Sequence, residues 1–295
     1  MASTGIEAGL NDIKTCSPLA IDDRIHSTGA NPLSVTEHQI PSIEIKDVVF
    51  KCAVRDSTFL TPPLNATFYQ GERVALISSN RKIRSQLISL LYGLIKPESG
   101  EIVPYGSVSW PLGLKGGLDS RLTLKQNMRF LVGLYPDRLA PLDWDRFLAA
   151  FLQVLNLSPD QPLKTLRSKE QRLFFMVVSL AFSFDTFLLP SAFFMQGSEK
   201  ERLYQYFKKV FDARIEDQCL VTTSINRKFL KQYCQRGLVV DNSGSIAFEG
   251  GVEDCFAWLK SQSSASPDED DSMDESTFNQ ELDNEDVDPS LYDII

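Results

Sequence analysis

The sequence predicts an α/β domain, and two observations carry that prediction. One is the stretch Gly71–Gly100, GERVALISSNRKIRSQLISLLYGLIKPESG, in which a short apolar run leads through a tight turn into a helical pattern. The other is the pattern beyond Gly100, where short apolar runs alternate with amphipathic segments before a closing hairpin signal at Asn242-Ser243-Gly244. Such alternation builds a mainly parallel sheet covered by helices, and the hairpin adds an antiparallel annex.

Residues 1–40 mix Ser, Thr, Gly, Asn and charges without a period and are expected to form a disordered leader. From Ile43 the run IEIKDVVF alternates as a first strand, and Phe59–Phe68, with its paired prolines, is a turn and short edge strand. Val74–Ile77 is the central buried strand, Ser78–Ile83 the loop, and Arg84–Ile95 the helix, ending near Lys96-Pro97. Strand Glu101–Ser109 comes next. Three glycines and a proline in the first half of 108–135 then make an ordered loop. Thr123 caps a helix whose apolar face is Met128, Leu131, Val132 and Leu134. Helices are expected over 143–157, 167–182, 199–212 and 252–260. Strands are expected over 184–189, 219–222, 238–241 and 246–249.

Composition excludes several classes. No apolar run approaches a membrane span, and the N-terminal residues lack the basic start and apolar core of a signal peptide. Five scattered cysteines (16, 52, 219, 234, 255) form no C-x-x-C pair, which argues for a reducing compartment without a metal. The net charge of −9 is set by the tail, 262–295, which holds twelve Asp/Glu and no Lys or Arg. Without it, 30 basic and 27 acidic residues leave a body of +3. No basic cluster with interleaved aromatics supports nucleic-acid binding.

Strand, phosphate-sized loop and helix in that order make the frame of a P-loop. The pattern asks for Gly, four residues, Gly, Lys, then Ser or Thr; those slots hold Ser78, Ile83, Arg84 and Ser85. The missing glycines matter because backbone N–H groups close around a phosphate only where the chain can take a positive φ. Ile83 in a left-handed conformation costs roughly 1–2 kcal/mol before crowding. Arg84 keeps the charge but not the compact ammonium of lysine. Ser85 retains a hydroxyl able to face Mg²⁺. The plainer alternative is an ordinary strand-to-helix turn.

Three stretches resemble the ATPase subunits of ABC transporters, and more narrowly the subfamily that exports capsular and related polysaccharides. They are GERVALI…SQLISLLYGLIKPESGEI, GSVSWPLGLKGGLDSRLTLKQNMRFLVGLY (106–135), and LAFSFDTFLL (180–189) with QYCQRGLVV (232–240). Ser-Trp-Pro-Leu-Gly is the most specific of these signals. The resemblance covers about 43–258. It implies a P-loop NTPase-like ABC ATPase domain over 41–261, with a RecA-like core, an antiparallel β annex and a helical subdomain.

Carried over position by position, the family's functional residues mostly fail. Asn80 keeps its place in the Walker A loop, but Arg81 stands where the family has Gly. Pro190 and Ser191 occupy the Walker B slots for the Mg²⁺-holding Asp and the water-polarising Glu, so metal and base are both missing. The signature motif maps to Leu166–Glu170, where only Ser168 survives and Lys169 replaces a glycine. The switch histidine should lie near Thr222, Thr223 and Ser224, yet no histidine occurs after His38.

The resemblance therefore implies a degenerate subunit with no catalytic residue and no metal. Ser78, Asn80, Arg84 and Ser85 are candidate ligands for ATP bound without hydrolysis. Trp110, Pro111, Gly113, Gly116, Gly117 and Ser168 face partner subunits, with packing beneath the loop as the alternative for Trp110. The partners implied are an export permease and an active ABC ATPase paralogue. The expected location is the cytoplasmic face of the bacterial inner membrane, reached through those partners. An active ATPase with unusual loops and a soluble scaffold are the competing expectations.

Overall fold

A computed structural model describes residues 40–54, 57–113, 115, 117–138, 149, 152–153, 155–192 and 202–263. The leader, most of the expected 143–157 helix, the start of the expected 199–212 helix and the acidic tail beyond Ser263 lie outside the described residues.

The strands are β1 (Pro41–Val49), β2 (Lys51–Val54), β3 (Ser57–Leu60), β4 (Leu64–Tyr69), β5 (Arg73–Ile77), β6 (Ser99–Pro104), β7 (Thr186–Leu189), β8 (Cys219–Thr222), β9 (Arg236–Val240) and β10 (Ile246–Gly250). The helices are α1 (Arg81–Tyr92), α2 (Leu124–Leu134), α3 (Ser168–Leu180), α4 (Arg202–Arg214), α5 (Arg227–Tyr233) and α6 (Val252–Ser263). The central sheet has the order β10-β9-β5-β8-β7, parallel except for the β9–β10 hairpin. A second, antiparallel sheet, β4-β1-β6, packs against it, and β2–β3 form a separate hairpin.

Strand periodicity assigns the core. Along β5, Val74 and Leu76 point into one apolar layer, shared with α1 and the antiparallel sheet; Ala75 and Ile77 point into the other, shared with α3 and α4. Both faces are therefore dry, which is why RVALI reads as a continuous apolar run rather than an alternating one. Polar contacts cross between the two sheets, among them Arg236 Nη2 of β9 donating to Thr67 O of β4 at 2.8 Å. Ser42 on β1 and Thr186 on β7, both buried, share a hydroxyl–hydroxyl bond of 2.5 Å.

Helix α1 starts three residues earlier than expected, because Asn80 caps it, and stops at Tyr92, because Gly93 turns left-handed (φ 80°) and donates to Leu90 O. Ile83 therefore sits in helical backbone, fully buried, and the strain expected of it is not incurred. The expected strand Glu101–Ser109 divides into β6 and a single bridge from Val108 to Thr186. The apolar face of α2 differs too. Leu124, Asn127, Met128 and Leu131 are buried, while Phe130 and Leu134 are 51% and 54% exposed. Helix α5, capped by Asn226, is an addition to the expected elements, and α6 runs two residues past the expected domain boundary. Among the described residues no helix is long and apolar enough to cross a membrane, and no His/Cys/Asp/Glu group could hold a metal.

Gly100 lies in a bulge of the β1–β6 pair at φ 79°, and a Cβ there would collide with the backbone carbonyls of Lys46 and Asp47. Gly100→Ala should cost at least ~2 kcal/mol, the left-handed penalty plus the clash, read as a lower urea midpoint. Burial pushes the Cys219 and Cys234 thiols up to about 12. Neither should react with a maleimide at pH 8 in the folded protein, and both should react once urea unfolds it, as peptide mass spectrometry would report.

Candidate functional site

The carboxyl ends of β5, β8 and β7 lie side by side, with Ala75 and Leu189 both in register with Thr222. In a parallel sheet this edge is where a ligand binds. It brings together Ser78, Pro190 and the run Thr222–Ser224.

The turn from β5 into α1 is only Ser78-Ser79-Asn80. Asn80 Oδ1 accepts from the backbone N–H of Lys82 (2.9 Å) and of Ile83 (3.4 Å), and the Arg84 N–H donates to Asn80 O. The N–H groups that Asn80 Oδ1 takes are the donors a phosphate-binding turn leaves open for its ligand. Ser78, buried, accepts from Asn80 N. The Arg84 side chain is 8% exposed and turns back: Nη1 donates to Ser78 O at 2.6 Å and to Ser79 O at 3.2 Å. Ser85 is exposed on the first turn of α1. Of the four residues expected at a nucleotide, three are thus engaged with the turn itself.

The neighbouring strand ends are fastened by hydroxyls. Thr222 Oγ1 donates to Leu189 O (2.8 Å) and Thr223 Oγ1 to Pro190 O (3.3 Å). Ser224 Oγ accepts from the N–H groups of Ala192 and Asn226. At this edge Pro190 and Ser191 carry no anionic side chain, and the strand ends are held by backbone and hydroxyl contacts.

The 106–112 segment runs along β7. Ser109 N donates to Thr186 O, Leu112 N to Leu188 O, and Leu188 N to Ser109 Oγ. Trp110 is buried; its Nε1 donates to Ser179 Oγ at 2.6 Å, and its ring meets Phe182, Phe184 and Tyr135. Burial favours the packing role for this tryptophan. Pro111 and Gly113 are buried as well, Gly117 is exposed, and Gly116 lies outside the described residues. Ser168 is exposed at the start of α3, where Glu170 Oε2 accepts from Arg167 N.

Sequence reasoning missed Asn127. It is fully buried on α2; its amide accepts from Asp119 N and donates to the carbonyls of Asp119, Leu122 and Thr123, holding the 119–123 loop. A polar residue within an apolar helical face was the available signal. Asp119 in turn pairs with Arg121, whose guanidinium holds its carboxyl down to about 2.

No protein-family model matches the chain. Among solved structures, an ATP-binding subunit of an ABC transporter superposes with a TM-score of 0.54 at 17% identity, over 74% of this chain and 93% of that one. An ATP-binding cassette dimer in a post-hydrolysis state, with ADP and phosphate bound, gives 0.54 at 13% identity, over 71% and 98%. The fold is thus that of an ABC ATPase domain. The polysialic acid transport ATP-binding protein KpsT of Escherichia coli is 31% identical over 201 residues, covering 67% of this chain and 88% of the relative. The capsule polysaccharide export ATP-binding protein CtrD of Neisseria meningitidis serogroup B is 27% identical over 180 residues, 61% and 81% of the two chains. The ATP-binding protein BexA of Haemophilus influenzae is 28% identical over 189 residues, 63% and 83%. The chain belongs to this family of capsule and polysaccharide export ABC ATP-binding proteins.

Asp185 supplies a pH test of the 106–112 attachment. The Ser107 hydroxyl (2.6 Å) and N–H (2.7 Å) both donate to its Oδ2 and hold its carboxyl below the ordinary range; the hydroxyl is the larger effect, partial burial opposes it, and the Arg138 charge adds to it. A depressed folded pKa adds stability that is full above the unfolded value, near ~3.9, and is lost as pH falls through the folded value. Asp185→Asn should therefore remove part of the acid dependence of the urea midpoint between about pH 5 and pH 3, while lowering that midpoint at pH 7.

Proposed function

We propose that the chain is a non-hydrolysing ABC subunit or regulator of a polysaccharide-export system. One observation carries this reading. The edge where an ABC domain would act on a phosphate has Pro190-Ser191 in place of two carboxylates, beside a turn whose N–H donors are already taken. Loss of a general base alone typically costs ~10²–10⁴ in rate. Here the metal ligand, phosphate cradle, signature and switch positions are altered as well. The names of the relatives, which are ATP-binding proteins of polysialic acid and capsule export, support the export assignment.

In this reading the chain sits on the cytoplasmic face of the inner membrane, held there by an export permease and paired with an active ATPase paralogue. Each composite site of such a pair would join one sound half to one altered half. Phe130 and Leu134 are exposed on α2, the helix that follows the loop Asn127 holds, and they support a protein-contact role for this helix.

The test is calorimetric titration of MgATP into the full chain, with a phosphate-release assay on the same sample. Weak or absent binding and no MgATP-dependent release are expected. Steady release that a metal chelator abolishes and Arg84→Ala eliminates would overturn the proposal.

A further inference from the structure

We propose that residues 264–295, the acidic segment that follows α6, dock within the same chain on a basic corner where α2 meets the loop leading into α3. The inference does not rest on the non-hydrolysing reading. It concerns which surface the segment covers, whatever the chain does with ATP.

Two segments build the corner, and backbone bonds join them. Leu124 N donates to Gln161 O, Lys125 N to Pro159 O, Leu163 N to Leu122 O and Lys164 N to Ser120 O. This brings the stretch holding Arg121 and Lys125 beside that of Lys164. Arg129 stands one turn further along α2, and Arg167 and Lys169 stand at the entry to α3. Residues 119–129 and 159–170 together carry six cations against three carboxylates, and that excess equals the whole +3 surplus of the chain before its acidic segment. Two of the three carboxylates are engaged locally: Asp119 pairs with Arg121, and Glu170 accepts from Arg167 N. Among the described residues no carboxylate pairs with Lys125, Arg129, Lys164 or Lys169. Cations elsewhere do meet carboxylates, as Lys46 meets Glu44, Lys51 meets Glu98, Lys208 meets Asp212 and Lys231 meets Glu253. The missing negative charge is present in 264–295, which holds twelve Asp/Glu and no Lys or Arg. The same segment carries Leu291, Tyr292, Ile294 and Ile295, apolar counterparts for the exposed Leu122, Phe130 and Leu134. Starting from Ser263, it spans up to ~100 Å at about 3.3 Å per residue, and a domain of this size is roughly 45 Å across. Reach therefore excludes no face, and charge selects this one. Single exposed ion pairs are weak, so docking depends on several forming together.

The test is carbodiimide cross-linking of the full chain, which joins a lysine amine to a carboxylate that it touches. Isotope-labelled and unlabelled chains are mixed, so that peptide mass spectrometry tells links within one chain from links between two. At low salt, links from Lys125, Lys164 and Lys169 to the Asp/Glu of 268–293 are expected, within one chain. Lys82, Lys96 and Lys209, exposed elsewhere, are the internal comparison and should link to that segment at least about fivefold less. The links should be lost at 1 M salt, where the screening length falls to about 3 Å. Arg129→Glu combined with Lys164→Glu, with circular dichroism confirming the fold, should reduce the links at Lys125 and Lys169 about fivefold. Absence of links to 268–293 would overturn the proposal and leave the corner to another anionic partner. Links found only between chains would assign it to the segment of a second copy instead. Links spread evenly over all exposed lysines, or unmoved by the double substitution, would overturn it as well.

Discussion

The Arg84 guanidinium, laid across the carbonyls of Ser78 and Ser79, is the contact on which the rest of the edge depends. A buried guanidinium is costly unless its donors are used, and the end of a strand offers carbonyls that no ladder partner takes. Each satisfies the other. The contact ties the first turn of α1 to the end of β5, on the helix whose Ile83, Leu87 and Leu90 pack in the layer between the two sheets. Asn80 completes the arrangement from the donor side. The turn is thus held together by its own residues from both the donor and the acceptor side.

Internal hydrogen bonds of the same kind recur across the edge. Thr222, Thr223 and Ser224 spend their hydroxyls on the ends of β7 and β8 and on the start of α5. Segment 106–112 covers the open side of β7, and Trp110 buries its indole against Phe182 and Phe184 while Ser179 accepts its N–H. These polar groups hold strands, loop and helices together.

Much of the fold was legible because β5, β7, β8 and β9 are buried on both faces. Val74–Ile77, Cys219–Thr222 and the hairpin around Asn242–Gly244 stand out as apolar runs bounded by turn residues, and the structure places strands at each. Boundaries were less legible where a side chain, rather than a period, sets them. The P-loop template puts the start of α1 at Arg84, while the Asn80 carboxamide puts it at Arg81. On α2 the 3.6-residue period selects Leu134 for the core, but tertiary packing admits Asn127 there and leaves Leu134 outside. The missing carboxylates and histidine of the site needed only the sequence. What the remaining residues do instead depends on side-chain direction, which spacing does not encode: Arg84 can point outward or back, and the bonds to Ser78 and Ser79 decide it.

The Ser42–Thr186 bond has a consequence for how the two sheets meet. Apolar layers attract without direction, so one sheet could slide or rotate over the other with little change in buried area. A hydrogen bond between two buried hydroxyls has a short range and a preferred angle, and breaking it leaves both groups unsatisfied. One such bond among many apolar contacts therefore acts as an index pin. It adds little to the total attraction but, together with the Arg236–Thr67 bond, disfavours the nearly equivalent alignments of the two sheets.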